Sequence, residues 1–424
     1  MKLASAVAAI AATAAAIGTV TALSQQTDMA ARETAIKGSW RRLPAPVSIQ
    51  TAARVEGASL FAAANNLYLA TVESSDRRRT VQRIVLRRWT GQRWVRPAPT
   101  QALRTDDGVT IQTAQIGRRP CVGYVYRSRP RVACLDNEKQ HWDITVFAAR
   151  KGALADALLE NGGTPLLAQS YYDKTWTAPG GGTDGTRAAQ LIDLGDPDRS
   201  TAPVLSPPDY GVLRPSWIDG TQPCVAFGTY QSGVPSIHLQ CSTGGTWRDE
   251  IQPLDSKTLS EPRMSLGGFD ADGATSYDNR YFIGIDRFER PRQAGGRRDV
   301  DWPVYTAKAG QPPALSDLGS TDPRWSEQGN LLTHGRSVWS IRFDQQVDRK
   351  GFLARIIVRR WDSSTGHSRD IGPPLLQPSR IYGPVYYGLT QHQGATYALW
   401  TVPNREAKTN ALAVGVWRPR NTGQ

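Results

Sequence analysis

Read for apolar and polar positions, the chain repeats one pattern seven times. A Gly or Asn opens each copy, a short polar stretch follows, and then an apolar run of strand length. The copies lie at 66–70 (NLYLA), 117–124 (GRRPCVGY), 163–168 (GTPLLA), 220–227 (GTQPCVAF), 279–284 (NRYFIG), 335–341 (GRSVWSI) and 394–400 (GATYALW). Their spacing of roughly 50 to 60 residues is the length of one four-stranded propeller blade. The pattern predicts an all-β fold, a seven-bladed β-propeller of four-stranded antiparallel blades.

The second half of each unit reads as an outer hairpin. In 85–94 (VLRRWTGQRW) a strand ends, a polar turn containing Gly follows, and a Trp opens the last strand. The same shape is present at 239–247, at 132–142 and more loosely at 356–366. Gly supplies the positive φ of the turn, and Trp covers the space between blades. Closure is legible as well: 38–46 (GSWRRLPAP) echoes 93–99 (RWVRPAP), the fourth strand of the first blade. The final unit shows strands at 385–390, 396–402 and 411–418 and then stops. Residues 38–49 are therefore expected to complete the last blade from outside and remove a free sheet edge; the rival is an independent N-terminal arm. One stretch, 146–159 (VFAARKGALADALL), has helical periodicity and reads as a surface insertion between the second and third blades, with a strand plus loop as the alternative.

The N-terminus changes the picture from fold to compartment. Lys2 is the only charge before Asp28, residues 3–20 are apolar and Ala-rich, and Ala22-Leu23-Ser24 offers small residues before Gln25. This is the layout of a secretory leader, 1–24; an uncleaved anchor is the alternative. A flexible segment, 25–37, would follow, then one propeller domain, 38–420, and a short tail, 421–424. The protein is expected to be extracytoplasmic, secreted or periplasmic, without stable membrane insertion once the leader is cut. Four cysteines fit an oxidising compartment. They allow three connectivities. The repeat register favours Cys121–Cys134 and Cys224–Cys241, each across one hairpin. A metal–thiolate site is disfavoured, because no CxxC occurs and the five His are scattered.

Lys and Arg number 51 against 38 Asp and Glu, a net charge of +13. Arg supplies most of it, in clusters such as Arg77-Arg78-Arg79 and Arg87-Arg88. A basic exported protein suits anionic partners: an acidic glycan or another envelope component. The alternative is a solvated surface whose cations happen to be Arg, some stacked on Trp. No nucleic-acid module is present, and the chain is expected to act as a monomer without a cofactor.

The stretch 240–247 (QCSTGGTW) resembles the Asp-box turn of sialidase-like propellers: Gly244, Thr246 and Trp247 match, while Gln240 and Ser242 replace its Ser and Asp. Asp boxes are structural turns remote from the sialidase site, so the resemblance implies a fold and no catalytic residue. Glycoside hydrolysis needs two carboxyls flanking the scissile bond. Channel-mouth candidates are Asp106, Asp107, Asp209, Asp270, Asp272 and Asp278. Tyr210 beside Asp209 and Tyr277 beside Asp278 stand out, because sialidase-like sites use a Tyr nucleophile polarised by a carboxylate. Such sites also grip a substrate carboxylate with arginines, for which Arg104, Arg214, Arg263 and Arg380 are placed just upstream of predicted inner strands. Trp217, Tyr210 and Tyr387 are candidate stacking platforms. Residues 269–278 hold Asp270, Asp272 and Asp278 at positions 1, 3 and 9 of a calcium-loop pattern but lack its acid at position 5. The Gly-rich run 180–185 lacks the Lys-Ser/Thr of a phosphate loop, and no GxSxG occurs.

Three functions remain open on the sequence. The first is a non-enzymatic binding or scaffold propeller with an anionic ligand at the channel mouth. The second is a sialidase-like glycoside hydrolase or polysaccharide lyase. The third is an assembly partner in an envelope complex.

Overall fold

The architecture is that of a computed structural model, which describes residues 36–419 except 37, 46–53, 75–81, 98–102, 106–110, 137, 151, 162, 178–182, 202–212, 219–221, 232–233, 254–265, 290–297, 321–325, 335, 349–350, 382–384 and 405–408. Several of the longer strands are described by backbone alone near one end. Among the described residues there is no helix.

The strands fall into seven antiparallel sheets around an axis. The first described strand, β1 (Gly38–Arg42), belongs to the last of them. Blade 1 is β2 (Arg54–Ala63), β3 (Asn66–Ser74), β4 (Gln82–Trp89) and β5 (Trp94–Val95), with β6 (Leu103–Thr105) also on β4. Blade 2 is β7 (Gln112–Ile116), β8 (Arg119–Tyr126), β9 (Arg129–Asp136) and β10 (His141–Val146). Blade 3 has three strands, β11 (Leu154–Asn161), β12 (Thr164–Thr177) and β13 (Thr183–Asp193). Blade 4 is β14 (Leu213–Ile218), β15 (Cys224–Gln231), β16 (Val234–Thr243) and β17 (Thr246–Asp249). Blade 5 is β18 (Leu266–Tyr277), β19 (Arg280–Glu289), β20 (Arg298–Lys308) and β21 (Ala314–Ser320). Blade 6 is β22 (Ser326–His334), β23 (Ser337–Asp348), β24 (Gly351–Asp362) and β25 (His367–Asp370), with β26 (Leu376–Arg380) also on β24. Blade 7 is β27 (Tyr387–His392), β28 (Ala395–Asn404) and β29 (Thr409–Pro419), completed by β1.

The first strand of each blade lies against that of the next, and β27 lies against β2, so the ring closes at seven. Each copy of the repeat opens the second strand of its blade. That strand is buried on both faces, which is why its apolar run is continuous rather than alternating. In blade 1, Leu67 and Leu69 pack toward blade 7 while Tyr68, Ala70 and Val72 pack toward blade 2.

Ring closure follows the expectation over a shorter span. β1 pairs with β29 in the register Gly38↔Pro419 and Trp40↔Trp417. Leu43 adds a backbone bond to Val414; residues 46–49 lie outside the described residues. The echo between the two fourth strands is real in three dimensions, since Trp94 faces Trp89 as Trp40 faces Trp417. Ring centroids are 5.3 and 5.5 Å apart in the two pairs.

The stretch 146–159 is not a helix. It ends β10, crosses a short connection and becomes β11, the inner strand of blade 3. A bulge between Ala155 and Ala157 breaks the two-residue alternation. Leu158 then packs toward blade 2 and Leu159 toward blade 4. Apolar residues needed on both faces, with one extra residue inserted, imitate a helical period.

Both disulfides form in the register the repeat favoured, Cys121–Cys134 and Cys224–Cys241, with Cα atoms 4.1 and 4.0 Å apart. They join the second and third strands of blades 2 and 4 and pack against blades 3 and 5. In the chain-entropy picture each contributes about 3 kcal/mol.

Arg is not only a surface residue here. Arg87 pairs with Glu73 at 2.6 Å and donates to Thr71 at 2.7 Å. Asp344, fully buried in blade 6, holds Arg342 at 2.7 Å and Arg355 at 2.6 Å. Burial pushes the Arg359 guanidinium below its ordinary range, and Asp370 and Asp317 oppose that shift.

Candidate functional site: the open seam between blades 7 and 1

Antiparallel pairing gives the propeller two different ends. One, the hairpin rim, carries the turns between first and second strands and between third and fourth. The other, the connection rim, carries the links from one blade to the next. The described cleft lies at the hairpin rim, in the seam where the last blade meets the first.

It has a volume of about 600 Å³ and is lined by Arg41, Asn65, Asn66, Arg88, Trp89, Thr90, Gly91, His392, Gln393 and Tyr397. Every contributor is set by local structure. Arg41 is the fourth residue of β1, opposite Val416. Ala64 and Asn65 form the β2–β3 turn with φ of 47° and 58°, a conformation Asn tolerates better than most residues. Gly91, at φ 92°, turns β4 into β5, and Thr90 closes that turn by bonding Arg93. Gln393 and Gly394 turn β27 into β28. The His392 and Tyr397 rings stand 6.1 Å apart. Burial holds the His392 imidazole below its ordinary pKa, favouring the neutral form.

The chemistry of the lining is one-sided: two Arg, three side-chain amides, a hydroxyl, a phenol and an imidazole, and no carboxylate. Among the described residues no carboxylate pairs with Arg41 or Arg88. These are donors suited to an anionic, hydroxyl-bearing ligand. There is no acid–base pair for glycoside cleavage in this cleft.

Why this seam stays open can be read from its neighbours. In blades 2, 6 and 7 the next-to-last residue of the inner strand reaches back to the preceding blade. Gln115 Oε1 accepts from Ala64 N–H at 2.7 Å, Thr333 Oγ1 donates to the Ser276 carbonyl at 2.8 Å, and Gln391 Nε2 donates to the Thr333 carbonyl at 3.4 Å. The matching residue of blade 1 is Ala62, which cannot span the gap. At the connection rim the same seam is bridged, because Tyr386 Oη donates to the Val55 carbonyl at 3.4 Å.

The residues expected to form a channel-mouth site are described in part. Asp106, Asp107, Asp209, Tyr210 and Arg263 lie outside the described residues, as does the leader. Arg214, Asp270 and Asp272 are described by backbone alone, on inner strands β14 and β18. Asp278 sits in the β18–β19 turn at the hairpin rim, φ 52°. β14 begins at the opposite rim, roughly 20 Å away by strand rise. The calcium-loop reading meets the same geometry: Asp270 and Asp272 belong to a continuous strand, and Asp278 is six residues further along, roughly 20 Å from Asp272. Among the described residues no group of three metal-ligating side chains is present.

Arg104 and Arg380 precede inner strands in sequence but sit on outer segments instead. β6 places an exposed Arg104 opposite Arg83, and β26 places Arg380 opposite Leu353. Trp217 packs edge-on against Trp247 at 5.9 Å, between blades 3 and 4. Tyr387 stacks on Phe343 at 5.9 Å, between blades 6 and 7. Both rings are half-buried packing groups. The Asp-box-like turn is a turn and no more, with Gly244 and Gly245 at φ 61° and 84° and Trp247 buried.

Of the seam residues the sequence marked Arg88, in the Arg87-Arg88 cluster, and Asn66 and Trp89, in the blade repeat, but none as part of a cleft. They are turn residues and strand residues near the rim, and the cleft exists only because residues some 330 positions apart meet. The usable signal was the closure itself, which sets Arg41 beside blade 1, and the change from Gln or Thr to Ala62 in the repeat.

The chain matches no family model, and no curated protein matches it in sequence. Among solved structures it is similar to a Bacillus subtilis arabinanase, with 13% identity over 61% of this chain and 96% of that one, at a TM-score of 0.35. It is similar also to the phage phi92 endosialidase, with 8% identity over 92% and 70% of the two chains, at 0.44. A Pyrococcus horikoshii acylaminoacyl peptidase shares 10% identity over 86% and 51%, at 0.47. At these levels no chemistry transfers, and the seven-bladed assignment rests on the strand order and pairing above.

Proposed function

We propose that this chain is an extracytoplasmic binding module that holds an acidic glycan in the seam between blades 7 and 1. The observation that carries the reading is the cleft lining: Arg41 and Arg88 with Asn, Gln and Thr, flanked by Trp89 and Tyr397, and no carboxylate. Arg suits the planar fork of a uronate or the oxygens of a sulfate. Amides and hydroxyls suit sugar hydroxyls, and aromatic faces suit the apolar face of a pyranose. Two disulfides and the leader-like N-terminus support a place outside the cytoplasm. No helix among the described residues is long and apolar enough to cross a membrane.

Calorimetric titration with digalacturonate, with cellobiose as the neutral control, tests the proposal. Saturable uronate binding that falls about tenfold in Arg41→Ala and in Arg88→Ala, with no new reducing ends or unsaturated products, is the expected result. Equal binding of the neutral sugar would sink the anionic site, and turnover would replace the binding module with a hydrolase or lyase.

A further inference from the structure

The hairpin rim is electrically uneven. Around blades 6, 7 and 1 it carries Arg41, Arg88, Arg93, Arg336, Arg369 and Arg418, all exposed except the half-buried Arg88. Asp317 of blade 5 reaches the blade 6 outer turn, where it accepts from Ser368 N–H and lies 3.5 Å from His367, and the acid on the turns themselves, among the described residues, is Asp362. It is already engaged: the Ser364 backbone and hydroxyl hold its carboxyl below the usual range, and Arg360 lies 3.8 Å away. The rest of the same rim is mixed. In blade 2, Arg119 and His141 pair with Asp143, and Lys139 pairs with Asp136. In blade 4, His238 and Gln240 meet Asp249. In blade 5 the β18–β19 turn carries Asp278, and Arg280 opens β19 two residues later. Carboxylates thus accompany the cations on the rest of the rim, which also carries exposed Arg118, Arg248 and Lys308, while arginines predominate around the seam.

The seam lies in the middle of this basic sector. Arg41 and Arg88 line the cleft, Arg93 and Arg418 lie outward along the fourth and third strands, and Arg336 and Arg369 lie on the neighbouring blade. A blade four strands wide reaches ~15 Å from inner to outer edge. That exceeds a single sugar residue and requires a ligand with several charges along its length.

We infer that the seam cleft is the centre of a longer footprint for a linear polyanion, an acidic polysaccharide that crosses the rim from blade 1 over blade 7 to blade 6. The inference rests on the reading of the cleft as an acidic-glycan site and adds chain length and direction to it. Short anions occupy the cleft alone. Long ones also engage Arg336 and Arg369, and their affinity falls with salt as counterions return to the chain.

The test compares digalacturonate with a long oligogalacturonate on the full chain and on Arg336→Glu/Arg369→Glu, two exposed positions outside the cleft. The long oligomer is expected to bind the native protein more tightly and with steeper salt dependence. The double variant should weaken it roughly fivefold or more while leaving the dimer within about twofold. Circular dichroism and melting of the variant confirm its fold, and the salt series on the native protein reads the same footprint without substitution. Equal affinity for dimer and long oligomer, or an unaffected long oligomer, would overturn the footprint and leave the cleft standing. Failure of both sugars to bind would instead remove the cleft assignment itself. A single-stranded oligonucleotide of matched charge that bound more tightly than the uronate would also overturn the inference.

Discussion

At the seam between blades 6 and 7, Gln391 bridges to Thr333, and Ile36 bonds to Asp370 and Gly372 on the edge of blade 6. Trp40 donates its indole N–H to the Ile371 carbonyl at 3.2 Å. One blade further on, Trp94 donates to the Pro44 carbonyl at 3.1 Å in the same way, but Ala62 stands where Gln391 stands, and a polar cleft remains. The shared parts make the contrast informative. His334 and His392 both end inner strands, and each faces an aromatic ring on the second strand, Trp339 at 6.3 Å and Tyr397 at 6.1 Å. Arg369 and Arg41 occupy the same place on the two fourth strands, opposite Arg360 and Val416. One repeat therefore makes either a bridged joint or a cleft, according to the residue next to the end of its inner strand.

Removing β1 is the most severe way to break the contrast. It strips Trp40 from one seam and Arg41 from the other and exposes the β29 edge. Deletion through residue 42 should cost at least about 3–5 kcal/mol, on the scale of losing a packed aromatic, and should abolish uronate binding. Denaturant melting and titration read the two effects. A milder version wedges the sealed seam alone. A Cβ on Gly38 would clash with the Trp417 ring, so Gly38→Val should cost about 1–3 kcal/mol. The open seam can be converted toward the sealed one with Ala62→Gln, which restores the amide that bridges other blades. That variant should keep its stability within about 0.5 kcal/mol and lose affinity severalfold, as measured by titration.

The smallest effect is that of pH. Burial lowers the pKa of His392, and burial together with Arg360 lowers that of His334, while Gln391 opposes the latter shift. A histidine depressed in the folded state leaves the unfolded chain binding more protons, so stability is expected to rise with pH and to fall as pH drops below the ordinary histidine range near ~6.5. Melting between about pH 7.5 and about pH 5 should show that slope, reduced in His334→Gln/His392→Gln. An anion in the cleft favours protonated His392, so ligand affinity should move the opposite way and strengthen as pH falls.

Much of the ring was legible in the sequence because blade construction is local. The seven apolar runs, the outer hairpins, the Trp40 echo of Trp94 and both cysteine pairs each follow from residues within one unit, or from two units compared. What was not legible depended on departures from regularity. The bulge at Ala155–Ala157 disguised an inner strand as a helix. The fourth strand of blade 3 is absent among the described residues, and the segments carrying Arg104 and Arg380 fold back onto third strands instead of leading to the axis. The cleft was missed for a different reason. Its polar residues lie in turns or close to strand ends at the rim, where polarity carries little information, and its identity as a site arises only when segments from opposite ends of the chain meet.

Amide hydrogen exchange with and without a long oligogalacturonate addresses the central claim most directly, because it reports the rim and the seam at once. Slowed exchange at Asn65–Asn66, Thr90–Gly91 and Gln393–Gly394, with the connection rim unchanged, is the predicted pattern. Protection confined to the blade-to-blade connections around Tyr386 or Ala153, with those turns unaffected, would contradict it.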